Sequence, residues 1–335
     1  MDLKSFRFCN VLKDDFNMEN KKISIIIPIH NSQDTIERCV ESIIKQEWEN
    51  IECILIENNS TDNSLEICRR ITKKNNKIKL FISEKTGVSE ARNLGIQEAT
   101  GDIIGFCDAD DYMEPNALKT IMEAFEDSNI SEIISGFYKE TWSLKNNTTK
   151  QYYGHKKKCI SAQEAMERIL CDDYVMGSVW NKYYKADIIQ NIQFLPELTH
   201  CEDTNFNIRV LAQNNIKKVL MLDIPTYCYV NNFNSITNDN TLLFDEHDNL
   251  KYIIAIKELL NEYQIEDKIK KMARMKIYCL AIDALNNNQI SNTQRMILLR
   301  EIRKNFGSFI KNIFKFNVKY NVKRLYWGIK FIINS

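Results

Sequence analysis

Four short apolar runs, Ile23–Pro28, Ile51–Ile56, Ile78–Ile82 and Ile103–Phe106, recur through the first third of the chain. Each is rich in β-branched residues and too short for a helix, so each reads as a strand buried on both faces. Helical periodicity fills the gaps. Asp34–Gln46 puts Ile36, Cys39, Val40, Ile43 and Ile44 on one face, a second helix runs through Leu65, Ile67, Cys68 and Ile71, and a turn and helix span Gly87–Ala99. Strands alternating with helices predict an α/β fold: a mostly parallel, Rossmann-like sheet with helices on both faces. Ligands of such sheets bind beyond the carboxyl ends of the strands. Three of those ends carry polar clusters: Pro28 to Asn31, Glu57 to Asp62, and Asp108 to Asp111.

Asp108-Ala109-Asp110-Asp111 offers three carboxylates in four positions directly after a strand. Hard divalent cations take such oxygens and share them with substrate phosphates. The plainer alternative is an acidic turn that caps the next helix. No G-x-G-x-x-G follows the first strand and no G-x-x-x-x-G-K-[ST] occurs, which argues against dinucleotide-fingerprint and P-loop chemistry.

Lys plus Arg and Asp plus Glu both number 45 among 335 residues, so the overall charge does not point to nucleic acid. None of the 10 Cys forms a Cys-x-x-Cys pair, and reduced, buried thiols are expected. The N-terminus lacks a signal-peptide pattern, and no apolar run approaches the roughly 20 residues of a spanning helix. The expected location is cytoplasmic, or peripheral at the inner face of the membrane. Three regions are expected: an arm at 1–20, the α/β domain at 21–240, and a C-terminal helical region at 241–335. The stretch from Phe306 to Ser335 has six Lys or Arg and no acid, interleaved with aromatics. That composition suits either an anionic membrane surface or a helix packed on the body.

Taken together, Ile25-Ile26-Ile27-Pro28-Ile29-His30-Asn31, Ile56-Glu57-Asn58-Asn59-Ser60-Thr61-Asp62, Gly87-Val88-Ser89-Glu90-Ala91-Arg92-Asn93-Leu94-Gly95 and Asp108-Ala109-Asp110-Asp111 resemble, in order and spacing, the family 2 glycosyltransferases. The resemblance covers roughly residues 21–210. It implies a GT-A fold and an inverting transfer of a sugar from a nucleotide-sugar, with a divalent metal, Mn²⁺ or Mg²⁺, at an Asp-x-Asp motif. By the same resemblance Asp110 is the direct metal ligand, and Asp108 lies near the metal or the ribose. Pro28, His30, Asn31, Glu57, Asn58, Arg92 and Ala109 complete the donor side. Glu57-Asn58-Asn59-Ser60 departs from the usual Asp-Asp-Gly-Ser, although a carboxylate survives at Glu57. A UDP-sugar is the expected donor.

Gly177 to Tyr184 resembles the family segment under the acceptor side, which implies acceptor-side roles for Trp180, Asn181 and Lys182. Trp180 reads equally well as a core aromatic. An inverting transfer needs a general base. The family's Glu-Asp pair implies Asp203 as that base and Glu202 as its neighbour, with His200 ranked behind. Acidic residues also suit a helix N-terminus on their own account. The expected acceptor is a surface glycan (capsule, lipopolysaccharide or similar), lipid-linked or free. A nucleotidyltransferase is the alternative enzyme, but Pro28-Ile29-His30-Asn31-Ser32 has no Lys or Arg to bind phosphate. A non-catalytic sugar-nucleotide or lipid-binding protein is the other alternative.

Overall fold

The computed structural model describes residues 21–142, 148–170, 177–198, 201–231, 246–263, 265–285 and 291–312, with Ile329. His200, the arm at 1–20 and nearly all of the chain beyond 312 lie outside the described residues.

The first half folds as the sequence pattern predicts. β1 (Ile23–Ile29), α1 (Ile36–Ile44), β2 (Ile51–Glu57), α2 (Ser64–Thr72), β3 (Ile78–Ile82), α3 (Val88–Glu98) and β4 (Ile103–Phe106) follow in order. The strands pair in parallel as β3-β2-β1-β4. Strand side chains alternate between faces. Ile23, Ile25, Ile27 and Ile29 of β1 therefore pack with Ile36, Cys39 and Ile43 of α1, while Ile26 packs with Ala91 and Ile96 of α3. A strand covered by helices on both faces is mostly isoleucine, and its one polar side chain, Ser24, is buried and donates to Glu52 Oε1 at 2.5 Å.

The second half makes the sheet mixed. β5 (Tyr112–Met113), α4 (Ala117–Ala124), β6 (Ile130–Trp142), β7 (Thr148–Tyr153), β8 (Lys158–Ile160), α5 (Ala162–Leu170), β9 (Lys182–Lys185), α6 (Ala186–Ile189), α7 (Glu202–Leu211) and β10 (Lys218–Asn231) follow. From β4 the sheet continues β9-β6-β10-β5, with β9 antiparallel to both neighbours and β10 parallel to β6. The long strand β10 has register shifts on either side of Pro225. Proline has no N–H to give the ladder, so a bulge there is the economical solution.

Three helices close the described chain: α8 (Glu246–Glu262), α9 (Asp267–Leu285) and α10 (Asn292–Asn312). α9 is buried along most of its length and packs against α8, α10 and α5, while α8 touches α7. A capping box opens α10: Ser291 N donates to Gln294 Oε1 at 2.9 Å, and Gln294 N donates to Ser291 Oγ at 3.3 Å. Phe306 and Phe309, assigned from sequence to the basic tail, belong to α10, and Phe309 stacks on Tyr278 at 4.2 Å. Among the described residues no helix is long and apolar enough to cross a membrane.

Candidate active site

Because β2, β1 and β4 are adjacent and parallel, their carboxyl ends open on one edge of the sheet. The polar stretches after them meet there. The loops after β1 and β2 are zipped together. Asn31 N donates to Ser60 Oγ at 3.1 Å, and Thr61 N donates to Asn31 Oδ1 at 2.8 Å. Asn31 and Asn59 hold left-handed backbone (φ 50° and 56°), a conformation asparagine tolerates. His30 Nδ1 lies 2.8 Å from Asn58 O, a carbonyl that can only accept, so Nδ1 carries the proton. His30 and Asn31 are exposed at the edge, whereas Pro28 sits within β1 and Ala109 is buried.

Asn58 requires a correction. Its amide is engaged inside the wall: Oδ1 accepts from Gly87 N at 2.8 Å and Nδ2 donates to Lys85 O at 2.7 Å. Its side chain shapes the site rather than facing into it. Glu57 is likewise buried and accepts from Ser60 N at 2.6 Å.

Arg92 joins Asp108, after β4, to Glu202 and Asp203 at the start of α7. It lies on α3, and α3 sits close on the sheet because position 95 is glycine. A Cβ there would meet Ile26 Cγ2 at 2.3 Å. Nη2 of Arg92 donates to Asp108 Oδ1 at 3.2 Å. Nη1 donates to Glu202 Oε1 at 3.0 Å and to Asp203 Oδ1 at 2.6 Å. The Arg92 side chain is 5% exposed, but those of Asp108, Glu202 and Asp203 keep 28%, 15% and 18%. The cation therefore sits behind and the carboxylates face the opening. Phe194 backs the guanidinium, 5.4 Å from its ring centre. Burial works against the Arg92 charge, but Asp203, Asp108 and Glu202 outweigh it and hold the group protonated.

The four aspartates differ in their surroundings. Burial pushes the Asp108 carboxyl up, against the pull of Arg92. Burial and the neighbouring Asp108 push Asp110 up to about 6. Arg38 opposes this only weakly, since its Nη2 is spent on the Asp110 carbonyl oxygen. Asp111 was expected to cap the next helix or to stand behind the metal. It does not cap: Asn116 precedes α4, and Asp111 is buried, accepting from Tyr227 Oη and Val230 N at 2.7 Å each. Tyr227 Oη also accepts from Asp108 N at 3.0 Å, so this tyrosine braces the whole acidic turn. No local pattern in the sequence marks Tyr227, which arrives from β10.

Asp110 and Asp108 suit a hard divalent cation. Asp110 is a partly exposed carboxylate short of positive charge, which is what such an ion supplies. Among the described residues no group of three or more His, Cys, Asp or Glu is placed to hold a metal ion by itself. Two protein carboxylates, with substrate phosphates and water completing the shell, match the habit of Mg²⁺ and Mn²⁺ sites.

Asp203 stands in the first turn of α7, where the helix dipole favours a negative charge. Its Oδ2 accepts from Val179 N at 3.2 Å. Burial pushes its carboxyl up to about 7 despite Arg92. The turn that presents Val179 is held from beneath: Asn207 Nδ2 donates to Gly177 O and Ser178 O at 2.9 and 3.1 Å, and Lys182 Nζ donates to Ser178 O.

Three acceptor-side expectations change in consequence. Asn181 and Lys182 are wholly buried, and Lys182 supports the turn rather than touching an acceptor. Trp180 is a core residue: it stacks on Tyr227 at 4.7 Å and on Tyr229 at 5.8 Å, and meets Phe137 edge-on at 4.6 Å.

A family model described as "Glycosyl transferase family 2" matches residues 24–192, half of the chain. The chain belongs to glycosyl transferase family 2. This family 2 chain is 29% identical over 219 residues to the uncharacterized glycosyltransferase EpsJ of Bacillus subtilis, covering 64% of itself and 62% of EpsJ, so it spans less than two thirds of that relative. In fold it resembles S. aureus TarS 1–349 solved in complex with UDP-GlcNAc (TM-score 0.63, 18% identity, 86% of this chain and 81% of the other). It also resembles the mannosyltransferase PcManGT of Pyrobaculum calidifontis, solved with GDP-Man and Mn²⁺ (TM-score 0.54, 12% identity, 93% and 86%). At these identities the likeness speaks for a GT-A fold.

Proposed function

We propose that this chain is an inverting, metal-dependent glycosyltransferase that moves a hexosyl or N-acetylhexosaminyl group from a UDP-sugar to a hydroxyl of a growing surface glycan. The observation that carries the reading is the Arg92 bridge, which sets Asp108 and Asp203 on two sides of one opening. The acceptor hydroxyl loses its proton to Asp203 as its oxygen bonds to the anomeric carbon. The bond from that carbon to the diphosphate breaks on the opposite face, which inverts the configuration. A divalent ion held by Asp110 and Asp108 would supply positive charge to the departing diphosphate. The half-exposed Asp110 supports this role. The nucleotide would lie along His30, Asn31 and the Glu57–Ser60 turn. The UDP-GlcNAc in TarS favours a uridine donor.

A cytoplasmic site suits a nucleotide-sugar donor, and the described cysteines are all free thiols, as a reducing compartment would keep them. A lipid-linked acceptor at the inner membrane face is the version we favour. Two variants test the reading. Asp203→Asn should abolish transfer while the thermal shift on UDP-sugar binding persists. Asp110→Asn should remove the Mn²⁺ dependence of that shift. Transfer by Asp203→Asn at the wild-type rate would place the base elsewhere.

A further inference from the structure

Helix α10 is divided by exposure in an unusual way. Leu298, Ile302 and Phe309 are fully buried on one side. Its single acid, Glu301, is buried with them and ion-paired to Lys257 at 2.7 Å. The opposite side exposes Arg300, Lys304 and Lys311. Among these cations stand Met296, Ile297 and Ile310, which are 67%, 41% and 42% exposed. An exposed helix face that mixes cations with aliphatic side chains and carries no acid has the composition of an interfacial helix. The bias continues in the sequence: residues 292–335 hold ten of the chain's 45 Lys and Arg but one of its 45 Asp and Glu, and that one is Glu301.

We propose that the exposed face of α10 docks on an anionic lipid surface. The helix lies in the headgroup plane, its cations against lipid phosphates and its three aliphatic side chains at the acyl boundary. Charge decides among occupants. A second copy across a two-fold axis would set this basic face near itself. A nucleic acid would match the cations and leave the aliphatic side chains without a partner. The helix is too charged to cross a bilayer, so it lies on one. The bundle that carries it is packed on α5 and reaches α7, the helix that bears Asp203. The inference itself needs no catalytic assumption.

Vesicle flotation of the full chain tests it, comparing phosphatidylcholine alone with phosphatidylcholine containing phosphatidylglycerol. Binding is expected to the mixed vesicles only, and to weaken with salt. Arg300→Gln, Lys304→Gln and Lys311→Gln together should weaken it roughly a hundredfold, at about fivefold for each cation near an anionic surface. Met296→Ser, Ile297→Ser and Ile310→Ser together should remove the part that survives high salt. Should either triple variant lose its circular dichroism, the single changes Arg300→Gln and Lys311→Gln, each costing about fivefold, read the same face. The proposal is overturned by no binding to mixed vesicles, by equal binding to phosphatidylcholine, or by charge variants that float like the wild type. Preferential binding to a duplex RNA over the mixed vesicles, or a dimer that the charge changes dissolve, would overturn it equally.

Discussion

Arg92 donates to Asp203 at 2.6 Å with the same guanidinium that donates to Asp108 at 3.2 Å, so one buried cation serves both halves of the opening. The planar fork of arginine holds its donors to such carboxylates in one fixed geometry, whereas an ammonium is a compact point charge with freely rotating donors. The bridge also makes each half sensitive to the other. Charge added near Asp108 changes what Arg92 offers Asp203.

Arg92→Met should therefore cost both stability and chemistry. It leaves Asp108, Glu202 and Asp203 facing one another without the cation, a loss on the order of 3 kcal/mol for a broken buried pair. Urea unfolding reads that loss, and transfer should fall to background. Arg92→Lys should recover part of the stability and little of the transfer. Full activity in Arg92→Lys would show that charge alone matters and that the fork geometry does not.

The pH dependence follows from Asp203. In the proposed role of base it must be ionised, and burial pushes its carboxyl up to about 7. Transfer should fall as pH drops through about 7, and UDP-sugar binding with metal should weaken only below about 6, where Asp110 protonates. Stability runs the other way. A carboxyl raised in the folded state binds its proton more tightly there than in the unfolded chain, whose value is near 3.8. Its contribution is complete below that value and is lost as pH rises through about 7. Rate and melting temperature measured on one pH series should move in opposite directions between pH 5 and pH 8. A rate that stays flat across that window removes Asp203 from the role of base.

Glu132 offers a test free of catalysis. It is wholly buried on β6, neither carboxylate oxygen has a hydrogen-bond partner among the described residues, and burial pushes it up to about 7 against the pull of Lys182. Being raised, its favourable contribution is present below its ordinary 4.5 and lost as pH climbs through about 7. Glu132→Gln should consequently stabilise the protein above pH 7, by up to about 3 kcal/mol less whatever Lys182 loses, and change little near pH 4. Denaturant unfolding at the two pH values checks it. A Gln variant less stable at pH 8 would mean that the Lys182 attraction outweighs the burial penalty.

Glu132 also shows where sequence reading stops. The strands β1, β2 and β4 were legible because they are buried on both faces, which forces a mostly apolar run between turns; β3, at the sheet's edge and only partly buried, still read as apolar from Ile78, Leu80, Phe81 and Ile82. The acidic turn and Asp203 could be singled out as candidates because the family resemblance supplied their order, although carboxylates there also serve turns and helix starts, and the structure brings Asp108 and Asp203 to the one Arg92. β9 was not legible. Lys182-Tyr183-Tyr184-Lys185 looks polar in sequence, and its Lys182 is tolerated inside only because Glu132 and Ser178 O arrive from elsewhere. Trp180 had even odds of being core, and only its distant partners Phe137 and Tyr227 decide the matter. Asp111 had the same difficulty: an aspartate two residues into a turn reads as a cap until Tyr227 and Val230 are seen to bind it.

Gly95 ties the packing of the sheet to the chemistry of the opening. In an exposed helix, Gly→Ala gains about 1 kcal/mol of helix propensity. Here the added methyl would meet Ile26 Cγ2 at 2.3 Å, and Ile26 is fully buried in β1 with no room to retreat. Overpacking of this kind costs about 1–3 kcal/mol, so the overlap wins. The helix must lift, and Arg92, three residues earlier on α3, moves with it. Gly95→Ala should lose transfer to nearly the extent of Arg92→Met while unfolding less easily than that variant. Adding Ile26→Ala removes the Cγ atoms in the way and should restore transfer, although the vacated core space keeps stability low. The pair would then be strongly non-additive for activity. Independent, additive losses in the double variant would show that Gly95 does not set the position of Arg92.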